Sequence, residues 1–140
     1  DNAEPSGQAS LANAVLTYGT LVGSARHLGL ADAVLAVAAA VAAREPRFAG
    51  WSLAAAEARE AGPVQVAVVG TGPAADALAR EVRRSCSPGL VHVAGMPDAD
   101  GIPALAGRPL VDGEPAAYVC RGFVCDRPVT SVSQLREALG

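Results

Sequence analysis

The run PVQVAVVG, residues 63 to 70, is the stretch that most restricts how this chain can fold. It is short, β-branched, nearly continuous in its apolar character, and bounded by Pro63 and Gly70. A strand that is apolar on both faces must be covered on both faces, so the run predicts a buried strand with a layer on either side. PAADALAREVRRS follows, with Ala75, Leu78, Ala79 and Val82 along one helical stripe, and GLVHVAG then supplies a second strand pattern. Strand, helix and strand in this order predict a βαβ unit with a parallel pair.

Upstream the period is that of helices. QASLANAVLTYGTLVG places Leu11, Val15, Tyr18 and Val22 on one face, with Ser6 as a cap and Gly23 near the end. LADAVLAVAAAVAAR repeats the pattern through Ala31, Val34, Leu35, Ala38 and Val41, and the short SARHLG turn between them predicts an antiparallel helical hairpin. A third helix is expected after Pro46, with Phe48, Trp51 and Ala55 on one face and Trp51 and Phe48 as core anchors.

Downstream, MPDADGIPALAGRPLVDGEPA is rich in Gly, Pro and Asp and predicts an irregular connection holding at most a short turn of helix. AAYVC and VCDRPV are strand candidates around RGF. Ser131 and Gln134 form a capping-box pattern that opens a last helix, with Val132, Leu135 and Leu139 facing inward. The fold class is therefore α/β: a helical segment over residues 1–62, then a small α/β unit over 63–140. Its short mixed sheet should pair the first strands parallel and the Cys-bearing strands antiparallel.

Composition narrows the function classes. Apolar residues at 51% against 18% charged describe a chain that folds. A net charge of −3 with scattered arginines argues against nucleic acid as a partner. LADAVLAVAAAVAA falls short of a bilayer span and carries Asp32, so it reads as a buried helix and no membrane segment is expected. Three cysteines are too few for a dense disulfide framework, which points to a reducing cytoplasm.

DNAEPSG opening a helix pair, PVQVAVVG starting an α/β unit, and GRPLVDGEPAAYVCRGFVCDRPVTSVSQLREAL together resemble one family. The chain is similar to the C-terminal end of the spermatogenesis-associated protein 20-like, thioredoxin-domain-containing proteins, most specifically from Gly107 onward. The resemblance implies a parent with an N-terminal thioredoxin-like domain, an α/α barrel of the N-acylglucosamine 2-epimerase type, and a final α/β region. This chain would supply the last barrel helices and that region. Asn2 and Gln8 stand where Gly and Asn are commoner in the family, while Glu4, Pro5, Ser6 and Gly7 keep its pattern. The family's C-x-x-C redox motif has no counterpart in these residues.

Four groups of residues could carry chemistry. Cys120 and Cys125 would be cross-strand neighbours in a hairpin, as two packed thiols, as a reversible disulfide, or as two metal ligands with Cys86 and His92 as the nearest further candidates. Packing is the preferred reading, and no metal is expected. Gly70, Gly72 and Ala75 fit G-x-G-x-x-A between a strand and a helix, a phosphate-binding pattern. Against it, the second strand lacks a closing acidic residue, Asp98 comes late, and Pro73 removes one donor from the first turn. Glu4 with Asp1 could be paired carboxylates in a sugar pocket, or Glu4 and Ser6 could cap the first helix, the preferred reading. His27 and His92 lack a recognisable catalytic signature.

The expected role is that of a C-terminal structural and interaction segment without a complete active site or cofactor. Its partners would be the upstream barrel and thioredoxin-like domains of the parent, or a second copy through residues 8–43. The alternatives are part of a carbohydrate-active or epimerase-like barrel enzyme with Glu4 at the pocket rim, and a nucleotide-binding module at Gly70 and Gly72.

Overall fold

A computed structural model describes residues 1–122 and 124–140. The elements run α1 (Gly7–Val22), α2 (Ala25–Arg44), α3 (Gly50–Glu60), β1 (Val64–Val69), α4 (Pro73–Val82), β2 (Leu90–Gly95), β3 (Ala116–Arg121), β4 (Val124–Cys125) and α5 (Val132–Leu139). Single 3-10 turns lie at Pro46–Phe48 and Pro103–Leu105. Helices come first and a small α/β unit follows, as the periodicity predicts.

β1 is central and buried along its whole length. The sheet order is β2-β1-β3-β4, with β1 parallel to β2 and antiparallel to β3, and β3 antiparallel to β4. Alternation along β1 divides its side chains between two cores. Val64, Val66 and Val68 pack with Leu78 and Val82 of α4 and Leu135 of α5. Ala67 and Val69 meet Leu105, Ala116 and Tyr118 on the opposite face. Ser131 caps α5 by accepting from the Gln134 backbone N–H at 3.3 Å, and Arg136 reaches Glu81 of α4 at 2.7 Å.

The helical hairpin closes through a glycine at each critical place. Gly23 adopts φ 67 at the end of α1, and the backbone N–H groups of Gly23 and Ser24 both donate to the Gly19 carbonyl. This left-handed cap turns the chain back after α1. Gly19 itself sits where the helices cross: a Cβ there would stand 3.0 Å from the Cβ of His27 and 3.1 Å from Leu28. At the far end Gln8 donates to the Val34 carbonyl at 2.8 Å, which fixes the antiparallel register.

The inward face of α1 differs from the expected stripe. Ala9, Ala12, Leu16, Gly19 and Thr20 are buried, whereas Leu11 and Tyr18 are exposed. Around the single large inward side chain, Leu16, small residues take the other inward positions and let α2 approach closely, while Leu11 and Tyr18 are left outward. The same holds for the third helix. Ala55 is buried but Phe48 and Trp51 are exposed, so neither aromatic anchors the core. Trp51 instead sits in the first turn of α3, after the chain has broken at Ala49 between the 3-10 turn and the helix.

α2 also departs from expectation. At 20 residues, with mean hydropathy 1.5 over its most apolar window, it is long and apolar enough to cross a membrane by length and composition. Only 17% of that window is buried, so it is not the buried helix that its composition suggested. It packs along α1, and its Asp32 accepts a two-pronged bond from Arg59 of α3 at 2.7 and 2.9 Å.

The helical and α/β parts meet directly. Gln65 of β1 donates to the carbonyls of Thr20 and Leu21 at 2.9 and 3.1 Å, and Gly89 lies against the carbonyl of Ala58.

Candidate functional site

The register of the β3–β4 hairpin places Cys120 opposite Cys125 and Arg121 opposite Val124. Residue 123, part of the expected RGF turn, lies outside the described residues. The Asp126 N–H donates to the Val119 carbonyl, which makes 119 and 126 a hydrogen-bonded pair. Cys120 and Cys125 therefore form the adjacent pair without ladder bonds, where side chains approach most closely. Their sulfurs are joined as a disulfide. Beyond Cys125 the ladder shifts, and Val129 rather than Pro128 pairs with Ala117. Proline has no N–H to give, so the chain bulges past it.

Two packed thiols are thus not what the structure contains. Cys120 is 2% exposed, but Cys125 is open to solvent. The further ligands considered for a metal lie elsewhere: Cys86 is exposed in the segment after α4, and His92 is in register with Val66, on the sheet face covered by α4 and α5. Among the described residues no three His, Cys, Asp or Glu side chains gather as a metal site.

Over the disulfide lies Arg108. Its Nη2 is 3.1 Å from Cys120 Sγ, 3.5 Å from Cys125 Sγ and 2.6 Å from Gln65 Oε1, while Nη1 donates to the Ala104 carbonyl. The guanidinium carbon stands 5.9 Å from the centre of the Tyr118 ring, whose hydroxyl donates to the Pro109 carbonyl. Burial lowers the pKa of Arg108, opposed by Tyr118. No carboxylate pairs with it among the described residues.

Each partner is held by its own element. Gln65 points to the same face as Ala67 and Val69 because β1 alternates, and its amide nitrogen is fixed on the last carbonyls of α1. That leaves its oxygen for Arg108. The 98–107 loop delivers the arginine: Asp98, at φ 54, accepts from the Gly107 N–H and donates its own N–H to the Leu105 carbonyl. Leu105 is fully buried and anchors the loop on the sheet. A cleft of about 160 Å³ lined by Leu21, Gly23, Gln65, Pro103 and Arg108 opens beside the cluster.

At the glycine turn, packing accounts for Gly70, whereas Gly72 has open space around it. Gly70 adopts φ 109, and a Cβ there would meet Pro115 and Leu110 at 3.0 and 3.1 Å. Gly72, at φ 86, precedes Pro73 at the first position of α4, and Ala75 is buried in the core. Asp76 adds negative charge to the first helical turn, and the Asp98 carboxylate is engaged by Gly107.

At the other end, Ser6 Oγ accepts from the Ala9 N–H at 3.1 Å and caps α1. Glu4 is exposed, with no side-chain hydrogen bond among the described residues. The bridging carboxylate is Asp1, which accepts from the Ser6 N–H and from both the N–H and hydroxyl of Ser52, each within 3.1 Å. One carboxylate thus serves the starts of α1 and α3. His27 Nδ1 lies 2.7 Å from Ser24 Oγ, a local contact at the start of α2, and its ring meets Tyr18 edge-on.

Sequence reasoning picked out the cysteines but missed Gln65 and Arg108. Gln65 did carry a signal, as the single polar residue inside a strand buried on both faces. Arg108 carried none, since it sits among the Gly and Pro residues of an irregular segment.

No protein-family profile matches the chain, and no curated protein or solved structure is significantly similar to it.

Proposed function

We propose that this chain is a structural and interaction segment whose helical layer docks onto further helices of a longer protein. The observation that carries this is the outward face of the helical layer. Val37 is 64% exposed, and Leu11, Tyr18, Leu30, Val41, Trp51 and Leu53 are exposed with it. A folded monomer seldom leaves so many large apolar side chains on one layer in water, and such a face marks a binding surface. Between α2 and α3 an apolar groove of about 180 Å³, lined by Leu35, Ala38, Ala42 and Leu53, offers a seat for a helix ridge.

The likeness of DNAEPSG and the C-terminal region to the thioredoxin-domain-containing proteins supports one partner in this reading: the preceding helices of an α/α barrel in the same parent. Closing that barrel would cover the α1–α2 face. Catalysis by the parent would then draw on residues outside this chain.

Light scattering on the isolated chain tests the docking face. In the absence of its partner helices the chain should self-associate at about 100 µM through residues 8–43, and Val37→Glu with Val41→Glu should return it to a monomer of unchanged helicity. A wild-type chain that stays monomeric at that concentration contradicts the reading.

A further inference from the structure

We propose that Cys120 and Cys125 form a thiol–disulfide exchange site in which a dithiol from another molecule attacks the exposed Cys125 sulfur and the Arg108 guanidinium receives the departing Cys120 thiolate. This is a function separate from docking and does not rest on it.

The two sulfurs are unequal in the way such a reaction needs. Cys125 is open to solvent and Cys120 is buried, so an incoming thiolate reaches Cys125 first. Arg108 is nearer to the sulfur that would leave, 3.1 Å from Cys120 against 3.5 Å from Cys125. A cation beside a thiol stabilises its thiolate, and a better-stabilised thiolate leaves faster.

Among the described residues the guanidinium also has no carboxylate partner in the oxidised chain. It is partly buried, and its bonds run to the neutral Gln65 and Ala104 oxygens and to the sulfurs. Arginine keeps its charge at such a site. Reduction places a negative charge where that positive charge is already waiting, with Gln65 holding it in position from the end of α1.

The reaction balances in two exchanges. The dithiol, as its thiolate, forms a bond to Cys125 Sγ while the Cys120–Cys125 bond breaks and its electron pair stays on Cys120. The second thiol of the dithiol then attacks the mixed disulfide at the dithiol's own sulfur, and Cys125 leaves. The partner ends as a disulfide, the chain as a dithiol, and the partner's two protons pass to the two cysteines or to solvent.

The test uses the folded chain carrying Cys86→Ser, since Cys86 is an exposed free thiol. Air-oxidised protein is mixed with dithiothreitol without denaturant, alkylated at intervals and weighed. Complete reduction in the folded state is expected, slowed about tenfold by Arg108→Gln and largely restored by Arg108→Lys. With oxidised glutathione, Cys120→Ser should accumulate an adduct on Cys125, whereas Cys125→Ser should leave Cys120 largely unmodified. Reduction only in denaturant, an unchanged rate in Arg108→Gln, or equal labelling of the two single cysteines would overturn the proposal. If Arg108→Gln fails to fold by circular dichroism, the two cysteine variants decide.

Discussion

Gly89 and Ala58 touch across the junction between the helical layer and the sheet: a Cβ on Gly89 would stand 2.6 Å from the Ala58 carbonyl oxygen. Gly89 also adopts φ 71, which side chains rarely accept. Two independent constraints therefore fall on one residue at the entrance to β2. Gly89→Ala should lower the unfolding free energy by about 2–4 kcal/mol, combining backbone strain with the forced separation of α3 from the sheet. Gly101→Ala, also at positive φ but facing open space, should cost only about 1 kcal/mol. Urea midpoints of the two variants give the comparison, and equal losses would show that the contact with Ala58 is not tight.

Gln65 joins three elements through one amide, donating to Thr20 and Leu21 and accepting from Arg108. Gln65→Leu keeps the volume but removes the side-chain donor from two α1 carbonyls in a buried place and takes one oxygen partner from Arg108. A loss of about 2–3 kcal/mol is expected by urea unfolding. The variant should also weaken protection of the Arg108 side chain in exchange measurements.

Asp1 is expected to matter although it is only half-buried, because its carboxylate accepts from backbone N–H groups at the starts of both α1 and α3. Asp1→Ala should destabilise by about 1–2 kcal/mol. Glu4→Ala, with no side-chain bond to lose among the described residues, should change thermal unfolding little. The reverse ranking would restore Glu4 as a residue of importance.

His92 is the group from which a pH dependence follows. Burial chiefly, and then Arg83, lower its pKa below the ordinary 6.5. The neutral form is favoured in the folded chain and the unfolded chain binds the proton more readily. Stability is therefore full above about pH 6.5 and falls as the pH drops from there through the folded value. An NMR titration should place the His92 midpoint below that of an unfolded chain, and His92→Gln should flatten the stability profile between pH 7 and 5.

The residues explain how much could be read in advance. β1, α4 and α5 were legible because burial on two faces, a single apolar stripe and a capping pair each leave a periodic mark. The inward face of α1 was not, because hydrophobicity points to Leu11 and Tyr18 while close approach to α2 favours the small Ala12 and Gly19 beside Leu16. Trp51 was misplaced for the same reason: size suggested an anchor, yet the small Ser52 and Ala55 face inward. At the candidate site the hairpin pairing of Cys120 with Cys125 followed from the spacing. The exposure of Cys125 and the arrival of Arg108 did not, since both depend on how a loop with no period of its own returns to the sheet.

The most direct test of the docking role is the intact mass of the native polypeptide that contains this sequence, captured from its own cells with an antibody to residues 63–140. A chain several times the 14.0 kDa of these residues, with helical sequence immediately upstream, is the predicted result. A native species of about 14 kDa, monomeric when purified, would contradict it and leave the apolar face of α1 and α2 without the partner proposed for it.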